Sequence, residues 1–520
     1  MSGYTDRIFN NAQGAELIYQ LSLMNQISAA DATMSDLEKE IATEFASSKT
    51  GKVFATKEWL FATNTTSTCE KQMDSVGLNC VPSTDTVQGE DDFMKYLPFQ
   101  WRHCNYVRDS DDGFARPTVL EGFPGYRTSG AVDVGMLAAT FYWKVENHGT
   151  YRIWYLSDSP HPELGLVPWI TAIKGNKVMP YYILSAYPSV TASDELLRSQ
   201  PGLAPAYGHS YNNCITNYQR KGTGYWGAGG DRTLHGYIML MIKYATKNSQ
   251  NIFAGCTSAN HQILCQVAET DVYRVLLPSS ASAQFYKDAC VSVSASGQTA
   301  APDRNNAVAN ATANRVRVNS VESVTVDGTA YYALNLDLEE AITTTTDMYV
   351  SFMPCFAGET DKVVGKYDGS YMSNTDMHHT YRIHGCEYNW GQWVVETDSV
   401  IEYLEDNTRR GLYVAPKGTA HVANAHTDYI FVGEMAEGSG DGWIGDVEVD
   451  YQTGAMFPKT NGSGSAVGTG DRFYRNAGTK GTLREKLTLG YLANGSHFGL
   501  SSVNSNNALS TSSWFFGSCD

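Results

Sequence analysis

Asp376-Met-His-His379, with His384 five residues on, is the one cluster of histidines in the chain, and imidazole and carboxylate are the ligands of a zinc-type metal. A metal site needs ligands that converge from several segments and a further hydrogen bond to fix each ring. With Asn374 and Asp376 as neighbours, a solvated loop is the alternative and is the one expected. The acidic run Asp441-Gly-Trp-Ile-Gly-Asp446-Val-Glu448-Val-Asp450 would line carboxylates along one strand face and offer oxygen ligands to Ca²⁺. It lacks the Asp-x-Asp-x-Asp-Gly order of a calcium loop, so an acidic surface strand is expected instead.

Gly222-Thr-Gly-Tyr-Trp-Gly-Ala-Gly229 is glycine-rich, but no Lys-Ser or Lys-Thr comes after it, and a turn feeding a helix fits better than a phosphate cradle. There is no Gly-x-Ser-x-Gly elbow and no His-Glu-x-x-His pair. No catalytic residue, metal or cofactor is therefore assigned, and the chain is not expected to be an enzyme. The ten cysteines form no Cys-x-x-Cys pair, so free thiols are expected.

Composition sets limits on partners. Lys and Arg number 38 against 55 Asp and Glu, a net charge of −17, which disfavours nucleic acid as a partner. Only 18% of the residues are charged while Gly (47) and Tyr (32) are abundant, which excludes a charged disordered chain and a coiled coil and suits a loop-rich β or α+β protein. At 520 residues, about two to four structural units are expected. The N-terminus has neither a basic nor an apolar leader region, and runs such as Ile238–Ile242 fall far short of the ~20 residues that span a bilayer. Synthesis in the cytosol without membrane insertion is the expectation.

The elements that must position these side chains can be read coarsely. Residues 1–50 form an N-terminal helical region for docking or oligomerisation, with Leu17, Ile18, Leu21, Leu23, Met24 and Ile27 and then Leu37, Ile41 and Phe45 at helical spacing. A break near 29–34 and an N-cap at Ser35 divide it into two helices. Residues 51–112 read as a small β-containing domain closed by the charged loop Arg108–Gly113. Strand signals come next at Met136–Val145, Tyr151–Leu156 and Val167–Ile173, then helices near Tyr211–Arg220 and Leu234–Asn248. Residues 271–350 alternate like a small β insertion, and 351–520 are rich in turns.

The last stretch, 489–519, interleaves Gly, Asn and Leu positions with Tyr, His, Phe, Ser, Thr and Trp. The second set has the composition of an antibody loop, where aromatics give contact area at low entropic cost and small hydroxyls give adaptable hydrogen bonds. A terminal hairpin with core aromatics is the alternative.

Asn494-Gly495-Ser496, Gly499-Leu500, Asn504-Ser505-Asn506-Asn507 and Gly517 stand in the order and spacing of a known pattern. The segment resembles the variable region of diversity-generating retroelement target proteins. Upstream, Leu197–Leu203, Gly222–Trp226, Ile242–Gln250 and Tyr381–Trp393 resemble recurrent motifs of phage and prophage tail proteins of that class, so the likeness runs from about Pro117 to Asp520.

The resemblance implies an α+β protein in which 113–520 adopt a C-type-lectin fold of the formylglycine-generating-enzyme type, with the β insertion at about 271–350, preceded by the helical and β N-terminal region. It implies a receptor-binding adhesin at a phage tail tip, located in the virion and trimeric like the best-known member. Its partners would be a bacterial surface protein or glycan and other tail proteins. The displayed residues would be Tyr491, Leu492, Ala493, His497, Phe498, Ser501, Ser502, Thr511, Ser513, Trp514 and Phe515. Gly495, Gly499, Asn506, Asn507 and Gly517 would hold the scaffold, since glycines and side-chain-to-backbone bonds fix an irregular loop. A tail-associated enzyme of the same fold and a purely structural tail component are the alternatives. The related thiol oxidase needs two cysteines near its end, and here only Cys519 lies in the last hundred residues. No Glu-Pro-Asn or Trp-Asn-Asp run supports an animal-lectin calcium site.

Overall fold

Ser35 starts the first described helix, Asp36–Ser48, as its position before an apolar stripe requires. Its hydroxyl accepts from the Glu38 backbone N–H at 3.2 Å and the Glu38 carboxylate accepts from the Ser35 N–H at 2.7 Å, a reciprocal capping box. Ile41 and Phe45 then pack against Leu97, Tyr106 and Leu137. The computed structural model describes residues 34–60, 63, 69–298 and 300–520. The helix expected around residues 17–27 lies outside the described residues.

The chain is an α+β protein made mostly of sheet. A five-stranded antiparallel sheet has the order Val167–Pro168, Tyr142–Asn147, Tyr151–Ser157, Val53–Trp59, Cys69–Met73. Its central pairing, Val53 opposite Ser157 through Trp59 opposite Tyr151, crosses the boundary expected at 112/113, so residues 51–112 share a sheet with strands from beyond that boundary. A four-stranded sheet does the same, since Trp101–Arg108 pairs with Asp133–Ala139.

Both sheets meet the Gly230–Tyr244 helix, every residue of which is buried. A helix buried on every face is an interior element, and Leu234, Ile238, Met241 and Ile242 lie in the main core. Its polar residues carry partners inward: Lys243 Nζ lies 2.7 Å from Asp91 and 2.6 Å from Asp368. No described helix is long and apolar enough to cross a membrane.

Residues 271–350 fall within a six-stranded sheet that runs from Gln262–Leu264 to Tyr349–Phe352. Its long hairpin, Ala311–Val326 with Thr329–Leu336, turns at Asp327-Gly328, where both residues have positive φ (49° and 79°) as a tight hairpin turn demands. The last third of the chain builds a nine-stranded sheet. Along it Trp393–Tyr403 pairs with Leu483–Leu489, which leads through Val503–Asn504 and Arg472–Tyr474 to Gly442–Val449. Phe516–Gly517 closes in parallel on Trp393–Val394.

Candidate binding face

Residues 490–517 leave this sheet after Leu489 and return to it at Val503–Asn504 and Phe516–Gly517, and outside those returns the backbone is held by hydrogen bonds to side chains and to neighbouring backbone. The Asn494 carboxamide oxygen accepts from the Tyr491 N–H at 2.7 Å, and the Gly495 N–H donates to the Thr257 carbonyl at 2.7 Å. The buried Asp471 carboxylate accepts from the Ser501 N–H (2.9 Å), the Ser501 hydroxyl (2.7 Å) and Gln250 Nε2 (2.6 Å). Burial pushes its acid up to about 6. Further along, the Trp514 N–H donates to Asn305 Oδ1 at 3.0 Å and its carbonyl accepts from Gln392 Nε2 at 3.0 Å.

The expected scaffold glycines have steric reasons. A Cβ at Gly499 would stand 2.0 Å from Ser249 Oγ, and one at Gly517 would stand 2.5 Å from Gln392 Oε1. Gly495 has open space but a φ of +71°, a conformation that costs any other residue about 1–2 kcal/mol. The expected asparagines are placed differently. Asn504 Oδ1, not a side chain of the Asn506–Asn507 pair, accepts from the Asn506 N–H at 2.8 Å and from Asn507 Nδ2 at 3.5 Å, while Asn506 Oδ1 is buried without a partner.

The expectation of display needs correction for six residues. Leu492 (0% exposed), Phe498, Ser501, Ser502, Ser513 and Trp514 are buried, because the segment folds back on the sheet and on the 262–352 unit. Phe498 meets Trp393 edge-on at 5.3 Å, and Trp514 lies under the Arg304 guanidinium at 4.9 Å. Ala493 is exposed, and Tyr491, His497, Thr511 and Phe515 are partly exposed.

Those partly exposed rings continue into residues that sequence reasoning missed. Tyr491 and Phe515 stack at 4.7 Å and 29°, with Trp514 edge-on to both. Phe498 stacks at 4.9 Å and 18° under Tyr474, which is partly exposed. His497 meets Trp443 edge-on at 4.7 Å, and the Arg472 guanidinium lies 5.3 Å from the Trp443 ring and 5.7 Å from the Tyr474 ring. Register makes this group, since Trp443 is directly opposite Arg472 across a strand pair. The only sequence signal was the alternation Arg472-Phe-Tyr474, which sends the first and third side chains to one face.

Arg472 is chemically conspicuous there. No carboxylate lies within ion-pair distance of it among the described residues, and its Nε is buried without a hydrogen bond, a state that costs about 1–3 kcal/mol when nothing fills it. Arg304, 5% exposed, also has no carboxylate partner among the described residues and donates to the Phe352 and His261 carbonyls and to Asn260 Oδ1.

The other expected constellations are taken up by the fold. The histidine run is not a solvated loop: His379 is 3% exposed between Glu359 (3.5 Å) and Asp376 (3.2 Å), which hold its imidazolium up to about 10 against the effect of burial. His384 lies in the core against His235 at 3.1 Å, so the histidines do not converge. In the acidic strand, Asp446 pairs with Arg152 (2.8 Å), Glu448 with Lys459 (2.6 Å), and Asp450 accepts from Thr453 (2.7 Å). The glycine-rich turn does feed a helix, and its first N–H, at Gly230, donates to Asp398 (3.2 Å), where a phosphate would have to sit. Cys80, Asp91 and Asp368 are the one metal-competent group among the described residues, and Lys243 Nζ stands between the two carboxylates as the cation. All ten cysteines are free.

No protein-family model matches the chain, and no curated protein matches it.

Proposed function

We propose that this chain is a receptor-binding adhesin of a phage or prophage tail, with a C-type-lectin fold over about 113–520 and a ligand face formed by the 489–519 segment. The observation that carries the reading is the division of labour within that segment. Residues that match the retroelement-target pattern, Asn494, Gly495, Gly499 and Gly517, are tied by hydrogen bonds or by steric limits, while Tyr491, Ala493, His497, Thr511 and Phe515 reach solvent between them. A backbone held independently of the exposed side chains lets those side chains change without refolding the loop. The proposed partner is a bacterial surface ligand, and trimeric assembly belongs to the same proposal.

Adsorption of the purified protein to a panel of bacterial strains tests it. The triple variant Tyr491→Ala, His497→Ala, Phe515→Ala should lose at least tenfold in binding, since aromatic anchors typically cost about 2 kcal/mol or more each when truncated. Equal adsorption by a folded triple variant, or adsorption to no strain, would overturn the reading. A monomeric mass by light scattering would remove the trimer.

A further inference from the structure

Resting on that reading, we propose that the surface ligand is an acidic glycan whose carboxylate is read by Arg472, with the sugar ring laid on Trp443 and Tyr474. The first support is charge. The chain carries −17, and its exposed or half-buried arginines elsewhere are commonly held by acids, as Arg409 is by Glu405 and Glu434, Arg274 by Glu269 and Arg198 by Asp133 and Asp194. Arg472 is not. The adjacent Asp471 turns inward to Ser501 and Gln250, and Asp441, just before the neighbouring strand, accepts from the Arg475 N–H at 3.0 Å. A guanidinium kept free of carboxylates in an acidic protein is suited to a carboxylate that arrives from outside.

The geometry narrows the class. Guanidinium binds carboxylate through paired N–H donors, and with Nε enclosed by the protein the half-exposed Arg472 side chain offers its two Nη groups to an arriving carboxylate. The rings of Trp443 and Tyr474 lie 5.3 and 5.7 Å from the guanidinium, which sets aromatic surface beside it. A uronic or sialic residue presents that pair of features, a carboxylate next to the apolar C–H face of a pyranose. His497, partly exposed and edge-on to Trp443 at 4.7 Å, borders the same face.

Binding of the full-length protein to an array of uronate- and sialate-bearing oligosaccharides, each beside its carboxyl-reduced counterpart, tests the proposal. Wild type should bind at least one carboxylate glycan at least tenfold better than the reduced form, with affinity falling as salt rises. Arg472→Gln should lose that preference, and Arg472→Lys should keep part of it, with circular dichroism confirming both folds. Binding that ignores carboxyl reduction, binding only to phosphate-bearing glycans, or no glycan binding would overturn it. Cell adsorption measured in parallel separates the two claims. Adsorption abolished by the Tyr491, His497 and Phe515 triple variant but untouched by Arg472→Gln leaves the adhesin standing without the acidic glycan, and adsorption untouched by either overturns both.

Discussion

Beneath the Gly230–Tyr244 helix and along the adjoining sheets, several buried cations are matched with carboxylates. Lys243 bridges Asp91 and Asp368, Lys486 lies 2.5 Å from Glu396, and Arg152 holds Glu58 and Asp446 at 2.5 and 2.8 Å. Along the 472–474 strand, Arg472 has two aromatic rings beside it and, among the described residues, no acid within ion-pair distance. The two regions use the same kind of residue for different ends. An interior ion pair gains little net stability because both charges are desolvated, and its consequence is that neither partner can be lost or displaced. An arginine left unpaired at a half-exposed edge contributes little to the fold, and its interaction free energy remains available to a ligand.

The sharpest way to break the comparison is to remove a matched cation. Lys243→Met would leave Asp91 and Asp368 facing each other in the core, where burial already opposes ionisation of Asp91, and should cost about 3–5 kcal/mol or more. Chemical denaturation measures it. A loss below about 1 kcal/mol would mean that the cluster does not constrain the core.

Next in size is the scaffold of the binding face. Gly499→Ala forces its Cβ against Ser249 Oγ, which is itself held by the Leu500 N–H at 3.0 Å, and against the Asp471 carboxylate. Overpacking of this kind typically costs about 1–3 kcal/mol. Thermal unfolding should show it, and ligand binding should weaken as well. An alanine accommodated without loss would mean that the 499–501 turn is adaptable rather than fixed.

A smaller effect separates His379 from its surroundings. Its folded acid constant is raised, so the stabilisation it provides is complete below about 6.5, its unfolded value, and is lost as pH rises toward about 10. Unfolding free energy should therefore fall between pH 7 and 10 by about 1 kcal/mol or more in wild type, and this slope should be reduced in His379→Gln. An identical slope in the variant would assign the loss to other groups.

Features decided by adjacent residues were legible in the sequence, and features decided by distant ones were not. Ser35 ahead of Asp36, Leu37 and Glu38 announced a helix start, because a cap is local. The 113 boundary failed to divide the sheets because Val53–Trp59 finds its partner a hundred residues later, a pairing that no local pattern encodes. In the binding segment, the pattern of small and aromatic residues marked the place but not the facing. Irregular backbone has no period from which to infer that Phe498 and Trp514 point inward while Tyr491 and Phe515 do not. Trp443 and Arg472 escaped notice altogether, since strand register alone makes them neighbours.

The smallest stability effect tests the comparison from its other side. Arg472→Met removes a charge, keeps a similar stem against Trp443 and Tyr474, and abolishes a buried Nε that has no acceptor. The lost cation–π contact is worth about 0.5–1 kcal/mol at such a site, and relief of the unsatisfied donor offsets it, so stability should stay within about 1 kcal/mol of wild type. Set beside Lys243→Met in the same denaturation series, the difference between the two losses measures how far the molecule has separated charges that hold the fold from a charge held for a ligand. Equal losses would place Arg472 among the structural cations and remove the physical basis for its recognition role.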